Sequence, residues 1–245
     1  MGRLNRVSMG LAALMLVAVA VPPAGSYQAV AVTEGGTISG KVVFVGTPPP
    51  LRTVIPTKDK EVCGGPRQEP RIVLGADRGV QEAIVYLKAV TRGKPWAQQA
   101  GVLVIDNVKC RFEPTVQVVP VGAKLTIRNS DPVLHNTHGY LRFNSQRRTV
   151  FNVALPTQGL EIERVLRRPG IIDVECDAHG WMQAWILVAE NPYYAITTAD
   201  GSFTLTDVPP GTYTLVAFHH YTGAVEVPVT VTPNATTRVT VELKK

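Results

Sequence analysis

A thiol, an imidazole and a thioether share one short run, Cys176-Asp177-Ala178-His179-Gly180-Trp181-Met182, and a second imidazole, His135, stands upstream of it. A trigonal set of two histidines and one cysteine, with a weak axial methionine, is what mononuclear electron-transfer copper uses. Soft sulfur favours Cu(I) and imidazole suits both oxidation states, so a frame fixed between the two lets an electron pass with little rearrangement. Zinc is the chemical competitor, because one thiolate and two imidazoles also suit it. The thioether of Met182 tips the set toward copper. The alternative without a metal is an empty scaffold, with Cys176 a small buried hydrophobe and Met182 core filler. His135 and His138 form an H-x2-H pair, so either is a candidate first ligand.

The elements that must position these groups are strands. Short β-branched and aromatic runs alternate with Gly, Pro, Asn and Asp throughout, and no long helix is predicted in the mature chain. Strands are expected over 37–44, 82–90, 102–105, 115–119, 124–129, 159–166, 170–176 and 183–189. A further set is expected over 194–198, 202–206, 211–219, 224–232 and 236–243. Many short strands at regular spacing indicate β-sandwich architecture. The period of two puts Ile172, Val174 and Cys176 on one side of a strand and Asp173 and Glu175 on the other, which aims the thiol into the core. The thiol arrives at the strand's end, where the chain turns back through Gly180, so the ligand loop should lie at one pole of a sandwich. Asp200-Gly201 marks a hairpin and Pro209-Pro210-Gly211 a sharp turn.

The ligand run and its approach resemble the cupredoxins. C-x2-H-x2-M distal to a lone His is similar to their copper loop, most of all to the short loop of amicyanin. Pro169-Gly170-Ile171-Ile172-Asp173-Val174-Glu175-Cys176 resembles the family's turn and strand into the ligand Cys, and Asn129-Ser130-Asp131 followed by His135-Asn136 resembles the segment with the first His. The resemblance covers 102–190. It implies His135, Cys176 and His179 in the trigonal plane, Met182 as axial ligand, and Asn136 tying the two ligand loops together; such outer contacts orient ligands and tune the metal. His138 is then a rim residue or alternative ligand. Asp200-Gly201-Ser202-Phe203 with Asp207-Val208-Pro209-Pro210-Gly211-Thr212-Tyr213 resembles the carboxypeptidase regulatory-like, or transthyretin-like, domain. That likeness implies a small non-catalytic sandwich over 192–245. The expected fold is all-β, a cupredoxin-like Greek-key sandwich plus a carboxypeptidase regulatory-like one. Segment 33–101 is a β segment of open membership, although the 36–46 strand has the second unit's cadence.

At 245 residues, with 45% apolar and 18% charged residues, the chain has material for packed cores. Residues 1–26 read as a signal peptide. Arg3 and Arg6 precede an apolar stretch too short for a comfortable span, with small residues at Ala18-Val19-Ala20 and Ala24-Gly25-Ser26. After its removal no membrane span is expected. The basic balance, +6 over the whole chain, is not interleaved with an aromatic platform, so nucleic-acid binding is not expected. Arg142, Arg147, Arg148, Arg164, Arg167 and Arg168 are either a docking face for an acidic partner or ordinary solvated charges. Of three cysteines, Cys176 belongs to the metal loop, which leaves Cys63 and Cys110 to pair in an oxidising compartment. No H-x-x-E peptidase motif occurs, and five histidines cannot supply a trinuclear cluster beside this site, so an enzyme is not expected.

The expectation is therefore a periplasmic or secreted protein with one mononuclear copper, carrying single electrons between redox partners. The resemblance suggests a c-type cytochrome or a dehydrogenase as partner. Two alternatives stand beside it: copper storage or delivery, and a cell-surface binding module with a vestigial metal site.

Overall fold

The computed structural model describes residues 27–97, 102–143 and 146–245, and the targeting segment read over 1–26 lies outside the described residues. Two β-sandwiches account for nearly all of it. The first pairs a four-stranded sheet, in the order Glu161–Val165, Lys124–Asn129, Val104–Val108, Arg111–Glu113, with a five-stranded one. The latter runs Gln146–Leu155, His135–Phe143, Gly170–Cys176, Gln183–Ala189, Val116–Pro120. Ile105, Leu125, Ile127, Leu155, Ile172, Val174 and Ile186 fill the space between them. Among the described residues no helix is long and apolar enough to cross a membrane.

The second sandwich draws on both ends of the chain. Its four-stranded sheet runs Tyr194–Ile196, Ile84–Lys88, Gly211–His219, Gly223–Val231, and its three-stranded sheet runs Ser202–Val208, Gly36–Phe44, Thr236–Leu243. Segment 33–101 therefore divides. Gly36–Phe44 and Ile84–Lys88 are central strands of this second unit, while Arg52–Val54, the single helical turn Lys60–Cys63 and Arg67–Glu69 fold over the ligand pole of the first.

The two longest strands of the first sandwich, His135–Phe143 and Gln146–Leu155, are absent from the predicted set, and the 102–105 strand lies instead at Val104–Val108. In His135–Phe143 the period of two is present but disguised. Its inward positions carry His135, Thr137, Gly139 and Leu141, so the apolar alternation that reveals a strand is missing. Gly139 is required there, because a Cβ would lie 2.4 Å from the Phe151 ring.

The strand Gln183–Ala189 shows how the two units meet. Ala184, Ile186 and Val188 face the first core, while Trp185, Leu187 and Ala189 form a second cluster with Val118 and Ile171 against Ile84 and Phe218 of the other sandwich. Burial on both faces explains its unbroken apolar run. By the same geometry Asp173, on the outer side of the Cys176 strand, is buried rather than solvated, and Arg142 meets both its carboxylate oxygens at 2.8–2.9 Å.

At the edge of this interface His220 stacks on Trp185 with ring centroids 3.8 Å apart, and His219 lies beside it. Burial pushes His219 down to about 4; burial, then the neighbouring His219, pushes His220 down to about 3. An unfolded histidine titrates near 6.5. As pH falls below that value the unfolded chain takes up protons that the folded chain refuses, so stability is lost between about pH 6.5 and 4 for His219 and down to about pH 3 for His220. His219 alone should contribute on the order of 3 kcal/mol to that loss. Urea midpoints of the metal-free protein should fall steeply over this window, and His219→Gln should flatten the fall. A midpoint with the same pH slope in both proteins would contradict this.

Candidate metal centre

Two segments bring the candidate ligands together. The Gly170–Cys176 strand delivers Cys176 at its end, and two tight turns follow, with the His179 N–H donating to the Cys176 carbonyl at 3.2 Å and the Met182 N–H to the His179 carbonyl at 2.9 Å. The first strand residue, His135, is presented by a loop that Asn129 organises. Asn129 is wholly buried; its amide donates to the Val133 and Leu155 carbonyls, and its Oδ1 accepts the Asp131 N–H.

The three donors converge. Cys176 Sγ lies 3.8 Å from His135 Nδ1 and 3.7 Å from His179 Nδ1, and the two Nδ1 atoms are 3.0 Å apart. A point equidistant from all three is about 2 Å from each, the length of a metal–nitrogen or metal–sulfur bond for a first-row ion. His135 and His179 are 0% exposed, Cys176 1% and Met182 2%. Met182 packs in the same core cluster as Cys176.

Each imidazole is held from behind by a carboxylate. His135 Nε2 lies 2.8 Å from Asp131 Oδ2, and His179 Nε2 lies 2.8 Å from Asp59 Oδ2. A carboxylate accepts, so each Nε2 carries the proton and donates it, leaving each Nδ1 with a bare lone pair. Two such lone pairs facing each other at 3.0 Å, beside a thiol, repel unless a cation lies between them. The donor set therefore fits a metal ion, and outer carboxylates of this kind orient histidine ligands and raise their basicity. Burial pushes the Cys176 thiol up, against hydrogen bonds from nearby backbone N–H groups, and burial pushes His135 down despite Asp131. Metal uptake must then displace a thiol proton.

The remaining predicted residues fall into place by strand parity. His138 is on the outer face of its strand. Its Nδ1 meets Tyr140 Oη at 2.8 Å and Asp177 at 3.1 Å, its Nε2 meets Thr149 at 3.0 Å, and it is not among the converging donors. Asn136 also faces outward. Its side chain donates to Asn152 on the neighbouring strand rather than to the Cys176–Met182 loop, and only its backbone N–H reaches Cys176 Sγ, at 3.4 Å. The tie between ligand segments is thus a main-chain one. Cys63 and Cys110 are joined as a disulfide. Arg142 and Arg147 pair with Asp173 and Glu175, while Arg148, Arg164, Arg167 and Arg168 line a separate groove. Asp59 and Asp131 were missed as site residues. Asp131 stands in the quoted Asn129-Ser130-Asp131 motif, but nothing local marks Asp59.

The family model of the carboxypeptidase regulatory-like domain matches residues 183–244, so the match begins in the last ligand-side strand of the first sandwich and runs through most of the second. No curated protein matches the sequence. Among solved structures, the chain is similar to a purple cupredoxin from Nitrosopumilus maritimus, at 25% identity over 37% of this chain and 100% of that one, with a TM-score of 0.31. It is similar to amicyanin from Paracoccus versutus at 16% identity over 43% of this chain and 97% of that one, TM-score 0.32. A copper-containing nitrite reductase from Thermus scotoductus SA-01 shares 15% identity over 61% of this chain and 28% of that one, TM-score 0.32. At such scores the likenesses carry no weight by themselves. The sheets and the donor geometry define the class: a cupredoxin-like sandwich with a buried two-histidine, one-cysteine cluster. To it is joined a carboxypeptidase regulatory-like sandwich.

Proposed function

We propose that this chain is an exported mononuclear copper protein that carries single electrons between redox partners, a c-type cytochrome or a dehydrogenase among them. The observation that carries this reading is the sealed donor triangle: three ligand atoms already at bonding separation, on residues no more than 1% exposed. Such a frame retains its ion and resists rearrangement, which suits an electron carrier better than a protein that must hand metal on. Copper, when bound, supplies the one-electron couple. His135, Cys176 and His179 would hold it, with the Met182 thioether as a further, weaker donor, and Asp131 and Asp59 would keep the two imidazoles aimed inward.

The test is reversible bleaching. Purified mature protein loaded with Cu(II) should show an intense visible thiolate-to-copper band, lose it on one-electron reduction and regain it on reoxidation over repeated cycles without loss of metal. Metal that leaves to a chelating acceptor faster than the band cycles would point to delivery instead. A chain that develops no such band has no site of this kind.

A further inference from the structure

One of the two carboxylates, that of Asp59, comes from the segment folded over the pole rather than from a loop between strands of the sandwich, and it lies against His179. Asp59 belongs to the segment between Arg52–Val54 and Arg67–Glu69, with φ of 49°. Its Oδ2 is the hydrogen-bond partner of His179 Nε2 among the described residues. Its carbonyl accepts the N–H groups of Val62 and Cys63, at 3.0 and 2.8 Å, which makes 59–63 one stiff turn. Cys63 then bridges to Cys110. The Cys110 N–H donates at 2.8 Å to Asp131 Oδ2, the same oxygen that holds His135 Nε2. The disulfide therefore closes a circuit from one imidazole's carboxylate to the other's. The sulfurs of Cys63 and Cys110 and a ring nitrogen of His179 all lie within 4.8 Å of one another, so the bridge itself forms a wall of the site.

We propose that Asp59 is a positioning residue for His179, and that the Cys63–Cys110 bridge holds it there as a clamp against metal loss. The proposal rests on the metal-site reading of His135, Cys176 and His179. An exposed loop carboxylate would lose much of its effect to its own mobility. Anchored at one end by a covalent bond and organised by a helical turn, it keeps the Nε2 proton in place and the Nδ1 lone pair inward. Release of a bound ion requires an imidazole to swing away. For His179 that motion must break a carboxylate hydrogen bond whose backbone is stapled to the Asp131 arm. The clamp acts on the ligand and touches no donor atom, so its effect should be on ligand orientation and metal release rather than on the identity of the site.

The experiment compares wild type with Asp59→Gly, Asp59→Asn, Cys63→Ser/Cys110→Ser and, as a neighbour outside the contact, Glu61→Gln. Glycine accepts the positive φ without strain, and asparagine keeps an acceptor at the same place. The first readout needs no metal: nitrogen-15 NMR of the His179 ring should show the Nε2–H tautomer in wild type, Asp59→Asn and Glu61→Gln, and a mixture in Asp59→Gly. The second is the rate of copper transfer to excess chelator. It should rise about 10–100-fold in Asp59→Gly, by less than about 10-fold in Asp59→Asn, and not in Glu61→Gln. The double serine variant should follow Asp59→Gly in both. Unchanged tautomer and release in Asp59→Gly overturn the role of Asp59, and a double serine variant matching wild type in both overturns the role of the bridge. A wild-type chain that binds no copper removes the electron-carrier reading, while the metal-free tautomer comparison still decides whether Asp59 positions His179.

Discussion

Cys176→Ser is expected to abolish the visible copper band and to weaken copper binding by more than about 100-fold, above 2.7 kcal/mol. The reason is the chemistry of the donor set: serine offers a neutral hydroxyl where Cys176 offers a soft thiolate between two imidazoles. The fold should tolerate the change. Cys176 is 1% exposed, but the new hydroxyl has an imidazole nitrogen on either side to accept its proton, so it is not left buried without a partner. Metal-free stability should therefore shift by no more than about 1–2 kcal/mol. Copper titration with spectroscopy, set beside urea unfolding of the same metal-free variant, separates the two effects. Met182→Leu is the companion. It conserves core volume and should cost less than about 1.5 kcal/mol, so a spectral or potential change in that variant reports the thioether itself. Retention of a thiolate-type band in Cys176→Ser would remove Cys176 from the site.

Cys63→Ala/Cys110→Ala should lower the unfolding free energy by about 4 kcal/mol in the chain-entropy account of a cross-link. The two cysteines are 47 positions apart, and the chain between them crosses from one sandwich's pole through Ile84–Lys88 of the other before returning. Freeing it returns a large loop to the unfolded ensemble. Both sulfurs are buried, Cys110 completely, so alanine keeps the surroundings apolar and isolates the cross-link from any cost of burying a hydroxyl. At the size of this chain such a loss corresponds to a fall in melting temperature of about 10 °C. Calorimetry and urea titration of the metal-free proteins would check it. A difference below 1 kcal/mol would mean that the hydrogen bonds of Asp59 and Asp131 hold the capping segment by themselves.

Strand existence was readable wherever the backbone period coincided with an apolar alternation. Gly170–Cys176, Gln183–Ala189 and Gly211–His219 fall where expected, the first and third marked by β-branched and aromatic residues and the second by a continuous apolar run that packs on both faces. His135–Phe143 escaped because its inward positions are not apolar: a histidine, a threonine bonded to Asn107 and a glycine under Phe151 replace the expected hydrophobes. The split of 33–101 was unreadable for a different reason. Gly36–Phe44 pairs in parallel with Thr236–Leu243 at the opposite end of the chain, and nothing within nine residues specifies a partner that far away.

The ligand run shows the same division. Cys176 and His179 are three positions apart and the tight turn between them brings both side chains together, with Met182 in the same core cluster, so the sequence by itself determined these residue types and the loop they share. His135 was tied to them through its Asn129 and Asn136 context. Only the tertiary structure decided what surrounds them. Asp59 is 120 positions from His179, and it reaches Nε2 because a disulfide and one helical turn hold it over the pole. His138, three residues from His135, lies away from the converging donors because strand parity turns it outward. Short-range geometry is written in spacing, whereas a contact between distant segments exists only once packing and cross-links have brought them together.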